Sequence, residues 1–168
     1  MKWSLPLAMA LAASQAQAFQ CMRSDPVRSF QAAMAFPQTY VVLRGRVAEA
    51  EILIPPPRIV GESYPVPGWF SGHALTGDGF TKGLDTEVTV RVTCFGYLCG
   101  SMLPEVELIM FAQVAGGAYV IEADACATWV FAPDPLVEDL LASCIRGAAC
   151  VPADTLDEVF DPRVWVAV

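Results

Sequence analysis

Six cysteines and one histidine are the side chains with the most chemistry to offer in this sequence. The cysteines are Cys21, Cys94, Cys99, Cys126, Cys144 and Cys150, an even set, which in an exported chain reads as three disulfides drawn from fifteen connectivities. Zinc is the rival chemistry, and it asks for close CxxC-type pairs joined by further cysteine or histidine ligands. Four residues separate Cys94 from Cys99 and five separate Cys144 from Cys150, and His73 is the sole histidine. No metal site and no cofactor is therefore assigned. His73 lies in WFSGHALTGDG with Ser71 before it and Asp78 after it, the residue types of a nucleophile, base and orienting acid. No GxSxG elbow accompanies them, and the bland reading is a histidine beside a glycine turn. No catalytic residue is assigned, and the chain is not expected to be an enzyme.

Acidic groups are the other candidates. Gly77, Asp78 and Gly79 lack both the alternating oxygen ligands of a calcium loop and the Lys-Ser or Lys-Thr of a phosphate loop, so they read as a turn. Asp154, Asp157, Glu158 and Asp161 read as a solvated face rather than a cation site. Glu105 and Glu107, like Glu122 and Asp124, fall two apart on strand-like stretches. Each pair would project from one face, and paired strands would gather four carboxylates on an outer surface.

The compartment follows from the N-terminus. Lys2 opens a basic start, an apolar run extends from Trp3 to Ala13, and small residues at Ala16 and Ala18 flank Gln17, the pattern of a signal peptide cleaved after Ala18. The apolar run falls short of the roughly 20 residues needed to span a bilayer, so no membrane span is expected. Residues 19–168 then form a single domain, exported to the periplasm or the extracellular space. Cleavage removes Lys2 from 10 basic residues set against 18 acidic ones, so the formal balance moves from −8 to −9. That sign disfavours nucleic acid, whose binding depends on basic patches releasing counterions.

The elements that must position these groups are mostly strands. Residues 39–54 form one long strand, bent near Gly45 and stopped by Pro55, Pro56 and Pro57. Residues 58–68 are irregular, followed by a short strand at Trp69 and Phe70. Residues 76–83 read as a loop, and 85–93 alternate with period two, sending Val88, Val90 and Val92 to the core. Residues 94–100 make a cysteine-bracketed connector. Two apolar runs, 106–114 and 118–131, meet at Gly116 and Gly117, a hairpin signal. Residues 135–145 carry a helical stripe behind Asp134 as cap. Of the aromatics Trp69, Phe70, Tyr97, Phe111, Tyr119, Trp129 and Phe131, most are expected in the core, with Tyr97 exposed. Five strands and a C-terminal helix predict a mainly β protein built on a small antiparallel barrel, which removes free strand edges.

This pattern resembles the netrin-like domain of the tissue inhibitors of metalloproteinases, an OB-like five-stranded barrel. The matching residues are Cys21, YVVLRGRV at 40–47, WFSG at 69–72, the step Cys99-Gly100, the hairpin IMFAQVAGGAYVIEADAC at 109–126 and the helix holding Cys144. The resemblance implies a binding ridge of Cys21, Met22, Arg23 and Ser24 beside Gly96, Tyr97, Leu98 and Cys99, presented to another protein, with a protease as one candidate. It implies that Cys21 joins Cys99 or Cys126. The set preferred here is Cys21–Cys126, Cys94–Cys99 and Cys144–Cys150, and a bridge between distant segments contributes roughly 3 to 5 kcal/mol. The chain departs from the family in two places. Phe19 and Gln20 precede Cys21 after cleavage, which removes its free amine, and the family's second early cysteine is missing. Zinc chelation by that amine is therefore not expected. The implied function is a noncatalytic exported protein-binding domain; the alternatives are a structural module of the cell envelope and a hydrolase using His73.

Overall fold

The computed structural model describes residues 21, 24–48, 63–95 and 98–152. The expected leader, residues 49–62 with their three prolines, and the acidic tail at 154–161 lie outside the described residues. In chain order the elements are α1 (Pro26–Ala35), β1 (Thr39–Ala48), β2 (Ser63–Thr76), β3 (Gly79–Phe95), β4 (Leu98–Cys99), β5 (Leu108–Ala115), β6 (Ala118–Ala123), β7 (Val130–Phe131) and α2 (Pro135–Ile145). The fold is mainly β and carries a C-terminal helix, and no helix among the described residues is long and apolar enough to cross a membrane.

Five strands close a ring: β1 pairs β2, β2 pairs β3, β3 pairs β6, β6 pairs β5, and β5 returns to β1. The sequence predicts an all-antiparallel arrangement, but the β3–β6 pair is parallel. The cause is the hairpin at Gly116 and Gly117, whose φ angles of 59° and 87° suit a tight primed turn. It lays β6 antiparallel to β5, and β6 then meets β3 running the same way.

The ring encloses one core and carries another on its outside. Leu43, Phe70, Val90, Val92, Met110 and Ile121 are sealed inside. Against the outer face pack Val27, Phe30 and Ala33 of α1 and Val137, Leu141 and Ala142 of α2, over Val42, Ile109, Phe111 and Phe131. β5 is buried on both faces, because Met110 points inward while Ile109 and Phe111 point to the helices. Inside the ring Gly45 lies opposite Gly72, and a Cβ on either would run into the other strand and the Phe70 ring. Only glycine there leaves Phe70 its place in the core.

Several expectations need correction. Residues 63–68 are strand, not irregular chain. Pro65 and Pro67 fall two apart, so both leave the same edge without an N–H, and β2 has no partner on its β1 side beyond Trp69 among the described residues. An edge is where proline is tolerated. The loop read over 76–83 shrinks to the turn at Gly77 and Asp78, held by the Thr76 hydroxyl, which accepts from the Asp78 amide and donates to the Gly79 carbonyl. Val106 lies outside β5, which starts at Leu108. The run 118–131 is interrupted between Ala123 and Val130, because the Asp124 carboxylate takes the amides of Cys126 (2.7 Å) and Thr128 (3.1 Å) and so pulls the backbone off the ladder.

Both helices start alike. Asp25 accepts from the Arg28 amide at 2.8 Å ahead of Pro26, and Asp134 accepts from the Leu136 amide at 2.9 Å ahead of Pro135. Each cap satisfies N–H groups that a helix start leaves open, and proline costs nothing at the first helical position. Helix α1 is an element the strand-dominated reading omits.

Candidate functional site

The structure ties the N-terminal cysteine segment to the stretch that follows β6. Cys21 is bonded to Cys126, Cys94 to Cys99 and Cys144 to Cys150. The Ser24 hydroxyl donates to the Cys126 carbonyl at 2.6 Å, so the segment is held by a hydrogen bond as well as the bridge. From the other side, Gly100 packs so tightly against Ala123 and Asp124 that a side chain there would overlap their backbone. The step Cys99-Gly100 thus lies against the stretch that leads into Cys126. Met22, Arg23, Gly96 and Tyr97 of the ridge lie outside the described residues, and so does the expected exposure of Tyr97.

At the tip of this region Phe95 and Leu98 are cross-strand partners of β3 and β4, 50% and 55% exposed. Two large apolar side chains stay at a surface only at a cost in hydration, unless something covers them. The hairpin beneath is braced: Cys94 and Cys99 close it, and the Tyr64 hydroxyl lies 2.8 Å from the Cys94 sulfur. Such a clamp limits how far Phe95 and Leu98 can move relative to one another.

The histidine constellation is divided. Ser71 and His73 share the outward face of β2, but Ser71 approaches the Asp85 carboxylate at 3.5 Å. Asp78 sits in the β2–β3 turn at the end of the hairpin. No hydrogen bond joins Ser71 to His73 or His73 to Asp78 among the described residues.

The four carboxylates read as one outer patch do not form one. Glu107 and Glu138 hold Arg44 between them, at 3.2 Å and 2.7 Å, which ties the ring to α2. Glu122 holds Arg91 at 2.5 Å, and Asp124 is committed to its own turn. Strand alternation predicts which face a carboxylate takes, but not the arginine waiting on the neighbouring strand. Among the described residues no group of three or more histidine, cysteine or acidic side chains could hold a metal ion.

Tyr40 packs at the edge of the outer core, and its titration is displaced. Burial raises its phenol above the ordinary tyrosine value, the Glu122 carboxylate adds to the rise, and Arg91 opposes it. Its ring stacks on Trp129 at 5.7 Å. Trp69 departs from the core expected for most aromatics: it is 44% exposed, and its indole N–H donates to Asp85. Comparison of the chain with protein-family models, with curated proteins and with solved structures finds no match.

Proposed function

We propose that this chain is an exported, noncatalytic protein-binding domain of the netrin-like, inhibitor-like kind, whose contact surface is the ridge around the β3–β4 tip and the tethered Cys21 segment. The observation that carries this reading is the pair Phe95 and Leu98, half exposed on a hairpin that a disulfide braces. Preformed apolar anchors on a rigid support are what a protein interface concentrates its energy on. The five-strand ring, in which the fourth ring strand returns beside the first, supports an OB-like barrel as the scaffold. The cysteine pairs and the leader pattern support an oxidising compartment outside the cytoplasm. Zinc chelation by the Cys21 amine is not part of the reading, because Phe19 and Gln20 precede it.

The test is photo-crosslinking from position 98 in the cells that make the protein, with position 82, near the opposite end of β3, as control. The expected result is a discrete protein adduct from 98 alone, lost when Phe95 is changed to Asp. Adducts of equal yield from both positions would sink the ridge as an interface. A panel of purified metalloproteases, assayed with and without the mature protein, then separates an inhibitor from a binder that leaves proteolysis untouched. Sequencing the mature N-terminus settles the chelation question: a start at Cys21 would restore it.

A further inference from the structure

Away from the ridge, the outward face of β1, β2 and β3 is a hollow of about 740 Å³ with no role in the reading above. Register arranges this face in three cross-strand rows: Ala48, Trp69 and Glu87; Arg46, Ser71 and Asp85; Arg44, His73 and Gly83. All of these but Glu87 line the hollow. At the usual strand spacing and rise, these rows cover a field roughly 10 Å by 14 Å. A low diagonal crosses the field, because Ala48, Ser71 and Gly83 carry little side chain. One wall is the segment holding Glu105 and Glu107. Its Glu105 amide donates to the Val47 carbonyl at 3.2 Å, and Glu105 keeps a φ of 63°, a conformation that non-glycine residues seldom hold without a reason.

The other wall is Trp69. Its indole N–H is fixed on Asp85, and it also lines a second hollow of about 380 Å³, shared with Pro67, Glu87 and Tyr119. A half-exposed tryptophan, locked by its own N–H and standing between two adjoining hollows, is a platform with room for a ligand unit on either side. The charges select the ligand further. Arg46 and His73 have no side-chain hydrogen bond or ion pair among the described residues, and Arg44 is already balanced by Glu107 and Glu138. With the Arg44–Glu107 pair set aside, Asp85, Glu87 and Glu105 repel a polyanion, and Arg46 and His73 set hydrogen-bonding groups of the other kind among them. What fits donors and acceptors of both signs around an aromatic plane is a neutral, hydroxyl-rich chain.

We infer that this face binds an unbranched neutral oligosaccharide, with Trp69 as the stacking platform and Arg46, His73 and the Glu105 carboxylate as its polar contacts. Binding spans both hollows, so a chain of four sugars binds more tightly than one. The probes are the tetrasaccharides of β-linked glucose, α-linked glucose and β-linked N-acetylglucosamine, titrated calorimetrically into the mature protein and followed by tryptophan emission. A sulfated tetrasaccharide and an oligolysine peptide serve as charged counterparts.

The expected result is saturable binding of at least one neutral tetrasaccharide, at least about tenfold tighter than its monosaccharide. Trp69→Ala should weaken it about tenfold or more, and Arg46→Ala and His73→Ala about threefold each, with thermal unfolding checking that each variant folds. If Trp69→Ala does not fold, Trp69→Phe with the other two variants carries the test, and Trp129→Ala should leave affinity unchanged. No neutral sugar bound at 10 mM, about the weakest affinity such a site would need, overturns the inference. So does binding confined to the sulfated or the oligolysine probe, or affinity indifferent to Trp69, Arg46 and His73. Phe95→Asp should leave sugar binding intact, so failure here and failure of the ridge are separate outcomes.

Discussion

The core inside the strand ring and the core beneath the helices share β5 as a common wall, yet they are secured differently. The inner core is wrapped by strands that hydrogen-bond into a closed circuit. To open it, several ladders must part together. The outer core is roofed by two helices that touch the ring through side chains, with the Arg44–Glu138 pair, the Arg146 contact to the Gly77 carbonyl and the Ser29 contact to the Thr128 carbonyl as polar ties. What encloses a core, more than how apolar it is, decides how independently it can open. The helical roof should therefore exchange its amides through local openings well below the global unfolding energy, while β1, β3 and β5 exchange only with global unfolding. Equal protection of α1 and β3 would erase the distinction.

The strongest way to sharpen it is to empty each core in turn. Phe70→Ala in the ring and Phe111→Ala under the helices, both fully buried, should each cost about 4 kcal/mol in urea unfolding. They should differ in where exchange accelerates: throughout the molecule for Phe70, and first in α1 and α2 for Phe111. Next come the bridges. Cys126→Ser frees a loop with a sequence separation of 105 and should cost about 3 kcal/mol, whereas Cys144→Ser frees one with a separation of 6 and should cost about 2 kcal/mol. If Cys144→Ser proves the costlier, the roof depends on its local staple more than on packing.

A smaller effect is expected from Glu138→Gln. The Arg44 pair is partly solvated, so the loss should be about 1 kcal/mol, reduced further by salt, and should fall on α2 rather than on the ring. The smallest is the titration of Tyr40. Its folded value is raised, so the stability linked to it is intact below the ordinary tyrosine value and declines as pH rises through the higher folded value. Alkaline absorbance titration should show a late phenol that Tyr40→Phe removes; an unchanged titration would place the late phenol elsewhere.

Much of the ring is legible in the residues. Val88, Val90 and Val92 alternate cleanly because one face of β3 meets the core, and Gly116 and Gly117 announce their turn because both adopt positive φ. Helix α2 is legible from Asp134, Pro135 and the stripe behind them. Helix α1 carries the same Asp-Pro signal at Asp25 and Pro26, but its short stripe of Val27, Phe30 and Ala33 is easily passed over ahead of a long strand. The strand through Pro65 and Pro67 is hidden, because proline reads as a breaker until it is known which edge of the strand is hydrogen-bonded to β3. Trp69, His73 and Asp85 are visible as residue types, but only the registers of β1 with β2 and of β2 with β3 place them in one field with Arg46. Period-two patterning fixes a face, and neighbours across strands depend on pairing between distant segments.

The bridge from Cys21 to Cys126 has a consequence for how the protein is made. Synthesis proceeds from the N-terminus, so Cys21 emerges first and its partner follows only 105 positions later, whereas Cys99 trails Cys94 by 5 and Cys150 trails Cys144 by 6. Oxidation in order of appearance would join Cys21 to Cys94 and leave Cys99 to capture Cys126, a mispaired chain whose hairpin tip is unclamped. Reaching the native set requires either that thiols stay reduced until β6 docks, or that a thiol exchange catalyst reshuffles them afterwards. The yield of correctly paired protein should thus depend on an isomerase far more than for a chain whose cysteines pair only with their nearest successors.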